Sequence, residues 1–227
     1  MHQGPDSAGR PEEATPATPP ADAGEERRAR RRERLLATAT ELFAERGYAA
    51  TSIERICATA HVSIRAFYEE FQSREALLIA LHDGVARGGM DAVLAALDDP
   101  ATVAADTRTR IAVLVGAYVG AVTVDPAATR TAFAEVIGAG RGAEEHGLLW
   151  RSLWADFLAG EVERAVGRGE ALPRDYTLAM VAFIGAVCEL LAHWARNSGA
   201  FSRELLAGEV IHQALAVLGA AAAEEGK

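Results

Sequence analysis

Thr51-Ser52-Ile53-Glu54-Arg55-Ile56-Cys57-Ala58-Thr59-Ala60-His61-Val62-Ser63-Ile64-Arg65-Ala66-Phe67-Tyr68-Glu69-Glu70-Phe71 decides the fold of this chain. Thr51 reads as a helix N-cap, and Glu54 three positions later completes a capping box. Ile53, Ile56, Cys57 and Ala60 then recur at helical spacing, facing inward. After the short turn His61-Val62-Ser63, Ser63 caps a second short helix whose turns are marked by Ile64, Phe67, Tyr68 and Phe71. Two short helices joined so tightly form the unit that lays a recognition helix in the DNA major groove.

Working outward, the preceding segment predicts a helix over residues 26–46, with Leu35, Ala39, Leu42 and Phe43 on one face and Gly47 as its stop. Ser73 caps a helix that runs from Arg74 through Leu77, Leu78 and Leu81 towards Pro100. Further helices are expected at about 103–124, 126–138, 143–167, 174–196 and 202–222, punctuated by Asp125-Pro126, Gly167, Gly169, Pro173 and Asn197-Ser198-Gly199. No segment alternates with period two, so the fold class is all-α. The division expected is a disordered tail over 1–25, rich in Pro, Ala, Gly and Glu, a helix-turn-helix domain over 26–72, and a ligand-binding and dimerisation domain over 73–227.

Charge is distributed in the way a DNA-binding head requires. The net formal charge is -9, yet residues 27–82 hold ten Arg against seven Glu, while the later part of the chain is acidic. A locally basic module can grip phosphate while an acidic body discourages non-specific coating. The run Arg27-Arg28-Ala29-Arg30-Arg31-Arg32 reads either as an arm for the minor groove or as a solvated helix start, and both readings stay open. Cys57 and Cys188 lie among apolar neighbours, as small buried thiols. The uncharged stretch 176–188 is shorter than a bilayer span, and a cytoplasmic location is expected. His61, His82, His146, His193 and His212 show no metal-binding spacing, and there is no phosphate loop or nucleophile elbow, so neither a cofactor nor an enzymatic activity is expected.

Within the head, the first turn of the second short helix places Ile64 and Arg65 toward base edges, Ile64 for a thymine methyl and Arg65 for a guanine. Thr51, Ser52, Ser63 and the Tyr68 hydroxyl can donate to phosphate oxygens. The whole stretch from Ala50 to Leu77, with Leu42-Phe43 and Gly47-Tyr48 before it, resembles the signature of the tetracycline-repressor (TetR) family. That resemblance implies a three-helix DNA-binding head on a helical body that binds a small-molecule effector, and a homodimer on double-stranded operator DNA. It also implies that Arg74 clamps the DNA backbone and that the last two helices pair with their copies. Three positions depart from the family pattern: His61 stands for a turn glycine, Ala66 for a threonine, and Glu70 for a cation or histidine.

In the body, Tyr118, Phe133, Trp150, Trp154, Phe157, Met180 and Cys188 are the candidates for lining an apolar cavity, with Glu135, Glu189 or His193 orienting the ligand. Ordinary core packing competes with that reading for each of them. The function expected is a ligand-responsive transcriptional repressor; the alternative is a helical small-molecule-binding protein or enzyme that has lost DNA binding.

Overall fold

The computed structural model describes residues 21–197 and 199–219, and every regular element among them is helical. Helix α1 (Ala21–Arg46) starts five residues earlier than the periodicity suggested, so residues 21–25 of the expected tail are helical; residues 1–20 lie outside the described residues. Glu25 and Glu26 near its start complement the positive end of the helix dipole. Gly47, at φ +82°, ends the helix.

Helix α2 (Ile53–Ala60) departs from the sequence reading at its cap. Ser52, not Thr51, is the N-cap, with its Oγ accepting from the Arg55 N–H at 3.3 Å. Thr51 is fully buried, and its hydroxyl donates to the Gly47 carbonyl at 2.9 Å, where it satisfies the end of α1. Helix α3 (Ile64–Glu70) and helix α4 (Arg74–Leu97) open on Ser63 and Ser73 as expected, the two hydroxyls accepting from Ala66 and Ala76 at 3.1 and 3.0 Å.

These four helices share one core. Leu35, Ala39, Leu42 and Phe43 meet Ile56, Cys57, Phe67 and Phe71, with Leu77 and Leu78 of α4 beneath them. Phe43 and Phe67 have no exposed surface, so either truncated to Ala would lose about 3–5 kcal/mol.

Beyond α4 the chain turns more often than the periodicity alone suggested. Asp99 caps a one-turn helix α5 (Pro100–Ala104), and Asp106 then caps α6 (Thr107–Val122), so the single helix expected at 103–124 is broken where an aspartate offers a new cap. Helix α7 (Pro126–Arg130), capped by Asp125, widens into a π-helical turn over Thr131–Glu135 instead of continuing to 138. Helix α8 (Arg141–Gly167) follows, then α9 (Thr177–Arg196) and α10 (Arg203–Leu218), which Gly219 closes at φ +65°.

Helix α9 is long and apolar enough to cross a membrane by length and composition, which reading only 176–188 had missed. In the fold it is a core helix. Its Val187, Leu191, Trp194 and Ala195 pack with Val119 and Val122 of α6 and with Leu206 and Val210 of α10. Between α4 and α6 the backbones approach closely at Gly89, where a Cβ would stand 2.8 Å from the Tyr118 ring.

Candidate DNA interface and effector cavity

Helix α3 is amphipathic in a way that separates support from display. Phe67 is fully buried and Phe71 nearly so, whereas Ile64 and Tyr68 are about half exposed and the Arg65 side chain is 92% exposed. Ile64, Arg65 and Tyr68 together form the solvent-facing side of α3, opposite the buried Phe67 and Phe71. Arg65 is tethered only to Glu69, at 3.6 Å on the same helix face, an exposed pair worth a few tenths of a kcal/mol that a base edge can outbid. Ser52 and Ser63 use their oxygens as cap acceptors, leaving both hydroxyl protons available to phosphate.

The turn before α3 is held tightly. His61 has φ 53° and ψ 45°, and it is the one non-glycine residue with positive φ among the described residues. Its Cβ makes that conformation costly by about 1 kcal/mol relative to glycine. The turn closes nonetheless, with the Val62 N–H on the Cys57 carbonyl at 2.9 Å and the Val62 side chain in the head core.

The arginine run lies in α1 and is largely exposed, as a solvated helix start would be, and three of its members also reach α3. Arg31 donates to Glu70 at 2.6 and 3.1 Å and Arg28 at 3.3 Å, while Arg32 reaches the Glu70 carbonyl at 3.3 Å and lies over the Phe71 ring. The N-terminal part of α1 thus clasps the C-terminal end of α3, where cations complement the helix dipole. Burial alone would raise the Glu70 carboxyl, but the hydrogen bonds from Arg31 and Arg28 outweigh it and hold the group below its ordinary range. Glu70 is therefore neutralised within the head.

Thr51 and Arg74 are placed differently from the sequence reading. The Thr51 hydroxyl is turned inside, as described, so it is not offered to a phosphate. Arg74 donates to the Thr51 carbonyl and stacks 4.2 Å above the Tyr48 ring, bracing the start of α2 against α4.

The body encloses a cavity of about 280 Å³ between α4, α6, α8 and α9. Tyr118, Phe133, Trp150, Trp154, Phe157 and Cys188 all line it. Trp154 is the aromatic centre, in edge contact with Tyr118 at 4.9 Å and with Phe157 at 5.7 Å. Met180 lies instead in a separate cluster with Tyr176 and Leu218. Of the polar candidates, Glu189 is at the wall but bound by Arg196 at 2.6 Å, His193 packs outside against Phe201, and Glu135 faces the head.

Sequence reasoning missed the cavity's polar corner. His82, buried in the middle of α4, sets its ring 5.2 Å from that of His146 on α8. Burial above all, with His146 and Arg151 adding to it, pushes the His82 imidazole down to about 4, so it is neutral at physiological pH. Asp83 beside it accepts from the Trp150 indole at 3.2 Å and from Arg87 at 2.9 Å. Only the helical register linking 82 and 83 with 146 and 150 across two elements reveals this group, and no short motif encodes it.

Polar contacts join the head to the body, Thr131 donating to the Thr40 carbonyl at 3.5 Å among them, and the start of α8 to the start of α4. The Tyr48 N–H, at the bend between α1 and α2, donates to Glu135 at 2.8 Å; Glu135 belongs to the π-helical turn whose Ala132 and Phe133 line the cavity. The Ala143 N–H at the start of α8 donates to Glu75, one residue past Arg74, at 2.9 Å. Glycines at 140 and 142 give that carboxylate room, since a Cβ on Gly140 would fall 2.5 Å from it.

With this geometry in hand, similarity to known proteins is informative. Residues 35–81 match the family model described as bacterial regulatory proteins, tetR family. YerO of Bacillus subtilis (strain 168), an HTH-type transcriptional regulator, is 44% identical over 50 residues, which are 22% of this chain and 17% of that protein. The chain thus spans under a fifth of that curated relative. Among solved structures, a regulatory protein in the tetR family from Rhodococcus RHA1 superimposes with a TM-score of 0.69 at 24% identity, over 84% of this chain and 98% of that one. The transcriptional regulator FadR from Bacillus subtilis, solved with stearoyl-CoA, gives 0.68 at 16% identity over 82% and 98%. Both show the same fold.

Proposed function

We propose that this chain is a member of the TetR family of bacterial regulatory proteins and a cytoplasmic, homodimeric transcriptional regulator that binds operator DNA through α3 and releases it when a small molecule fills the cavity. The observation that carries the reading is the division of α3: Phe67 and Phe71 anchor it, while Ile64, Arg65 and Tyr68 stand free beside the Ser63 cap. In a major groove, Arg65 and Ile64 read base edges, and Ser52, Ser63 and Tyr68 take phosphates. Thr51 and Arg74 act by positioning: they fix the start of α2, and with it the angle at which α3 is presented.

Two copies supply two half-sites. The outer face of α9 carries Leu178 and Val181, 83% and 63% exposed, and Leu205 of α10 is also exposed. Such a face suits an isologous pairing that sets the two recognition helices about 34–36 Å apart. A ligand in the cavity presses on Phe133 and hence on the π-helical turn, displacing Glu135 and the bend it holds. By linkage, DNA and ligand then oppose one another. FadR with stearoyl-CoA supports a body of this fold as a ligand chamber. The domain division that goes with this reading is a DNA-binding head to residue 72 and a sensing body after it.

Selection of fragments from random duplex DNA by the full chain tests the proposal. A near-palindromic motif with half-sites one helical turn apart is expected. Enrichment of no motif at low salt contradicts it.

A further inference from the structure

We infer that the cavity selects an apolar monocarboxylate, whose anionic head is taken by Arg151 with Tyr118 and His82 beside it and whose alkyl or aryl body lies against Trp154 and Phe157. This inference rests on the proposed role of the cavity as the effector site and names the chemistry it admits.

Charge at the cavity wall is unevenly balanced. Two carboxylates reach the cavity lining, and both are already satisfied: Glu161 by Arg110 at 2.6 and 2.7 Å, and Glu189 by Arg196 at 2.6 Å. Arg151, also on the lining, forms no ion pair among the described residues. Its neighbour Cys188 does not supply an anion, because burial pushes the thiol up and keeps it protonated despite the opposing pull of Arg151. The cavity lining therefore includes one cation, Arg151, exposed to solvent, that no carboxylate engages among the described residues.

Two neutral donors accompany it. Tyr118 lines the cavity, its hydroxyl has no hydrogen-bond partner among the described residues, and burial raises its titration so that it stays an O–H donor. His82 is 92% buried on the same wall and lacks a partner for Nδ1. A guanidinium fork matches a carboxylate in two parallel hydrogen bonds, and neutral O–H and N–H donors add to it without creating charge. A cationic ligand would bring a second positive charge to Arg151. A neutral ester can accept from Tyr118 and His82 but offers the Arg151 fork no charge, so it forgoes the stronger, charge-assisted part of the contact.

Trp150 and Trp154 at the wall make binding visible as a change in tryptophan fluorescence. Titrating the full chain with decanoate, methyl decanoate and decylammonium should give a saturable change with decanoate, and affinities at least about tenfold weaker for the other two. Arg151→Gln should weaken decanoate by about tenfold or more and leave the ester unchanged. Because Arg151 is exposed, folding of the variant is expected to be intact and is checked by circular dichroism. Equal affinity for acid and ester, unchanged decanoate binding by Arg151→Gln, preference for the ammonium, or no response to any probe each overturns the inference. Release of selected DNA by some other small molecule would in those cases still uphold the proposed function.

Discussion

At the scale of single residues, Arg65 and His82 occupy opposite situations, one exposed without use inside the fold and one buried without a full set of partners. Arg65→Ala removes a side chain that supports nothing in the head. Stability should therefore be unchanged, while the preference for the selected DNA over a scrambled duplex falls by about 1–3 kcal/mol; fluorescence anisotropy isotherms on both duplexes measure this, and an unchanged ratio removes Arg65 as the reader. His82 governs acid stability. In the folded chain it is pushed down to about 4 from its ordinary 6.5, so between those pH values the unfolded chain binds a proton that the folded chain refuses. Stability should fall as pH drops through that window, by on the order of 3 kcal/mol. The groups around it are His146 and Arg151 on α8, which oppose protonation, and Asp83 on α4, which favours it. Urea denaturation from pH 7 to pH 4 should show His82→Gln flattening the slope.

At the scale of elements, helix–helix approach and head–body coupling each depend on a small feature. The α4–α6 crossing depends on Gly89: alanine there would gain helix propensity of about 1 kcal/mol but meet both the Tyr118 ring and Val122 at 2.8 Å. Overpacking of this kind costs about 1–3 kcal/mol, so Gly89→Ala should lower the melting temperature; an unchanged or higher value would mean the crossing has slack. The wide π-helical turn between α7 and α8 touches the cavity through Phe133 and the head through Glu135. Glu135→Gln keeps the shape but weakens the hold on the Tyr48 N–H. The variant should bind an effector as before, yet show a smaller difference in effector affinity with and without DNA, measured by titration calorimetry in both states.

Elements were legible in the sequence to different degrees, for identifiable reasons. Helices α1 to α4 follow from local signals, since Ser63, Ser73 and Gly47 act within one turn of themselves. The Thr51 misreading shows the limit: Thr51 and Ser52 are both good caps, and only the tertiary position of the α1 C-terminus decides that Thr51 turns inward. Aromatic lining residues of the cavity were legible because Tyr118, Trp150, Trp154 and Phe157 mark single helix faces. The clasp of Arg28, Arg31 and Arg32 on α3 was not, because it joins residues about forty positions apart by the angle between two helices. The same holds for the His82–His146 pair.

At the scale of the whole molecule, a small basic head, braced internally by the clasp of α1 on α3, meets a body with a chamber at its centre through polar contacts of Glu135 with Tyr48, Thr131 with Thr40 and Arg74 with Thr51. No single contact there is strong. Small displacements of the chamber wall can therefore bias the head without unfolding it, as ligand-linked populations require. The account rests on α3 reading a base sequence, and this is tested most directly by the affinity of the full chain for its selected duplex relative to a scrambled one, at two salt concentrations. A ratio of about a thousandfold or more is expected, with both affinities falling as salt rises because phosphate contacts are shared. A ratio near one at both salt concentrations would contradict it.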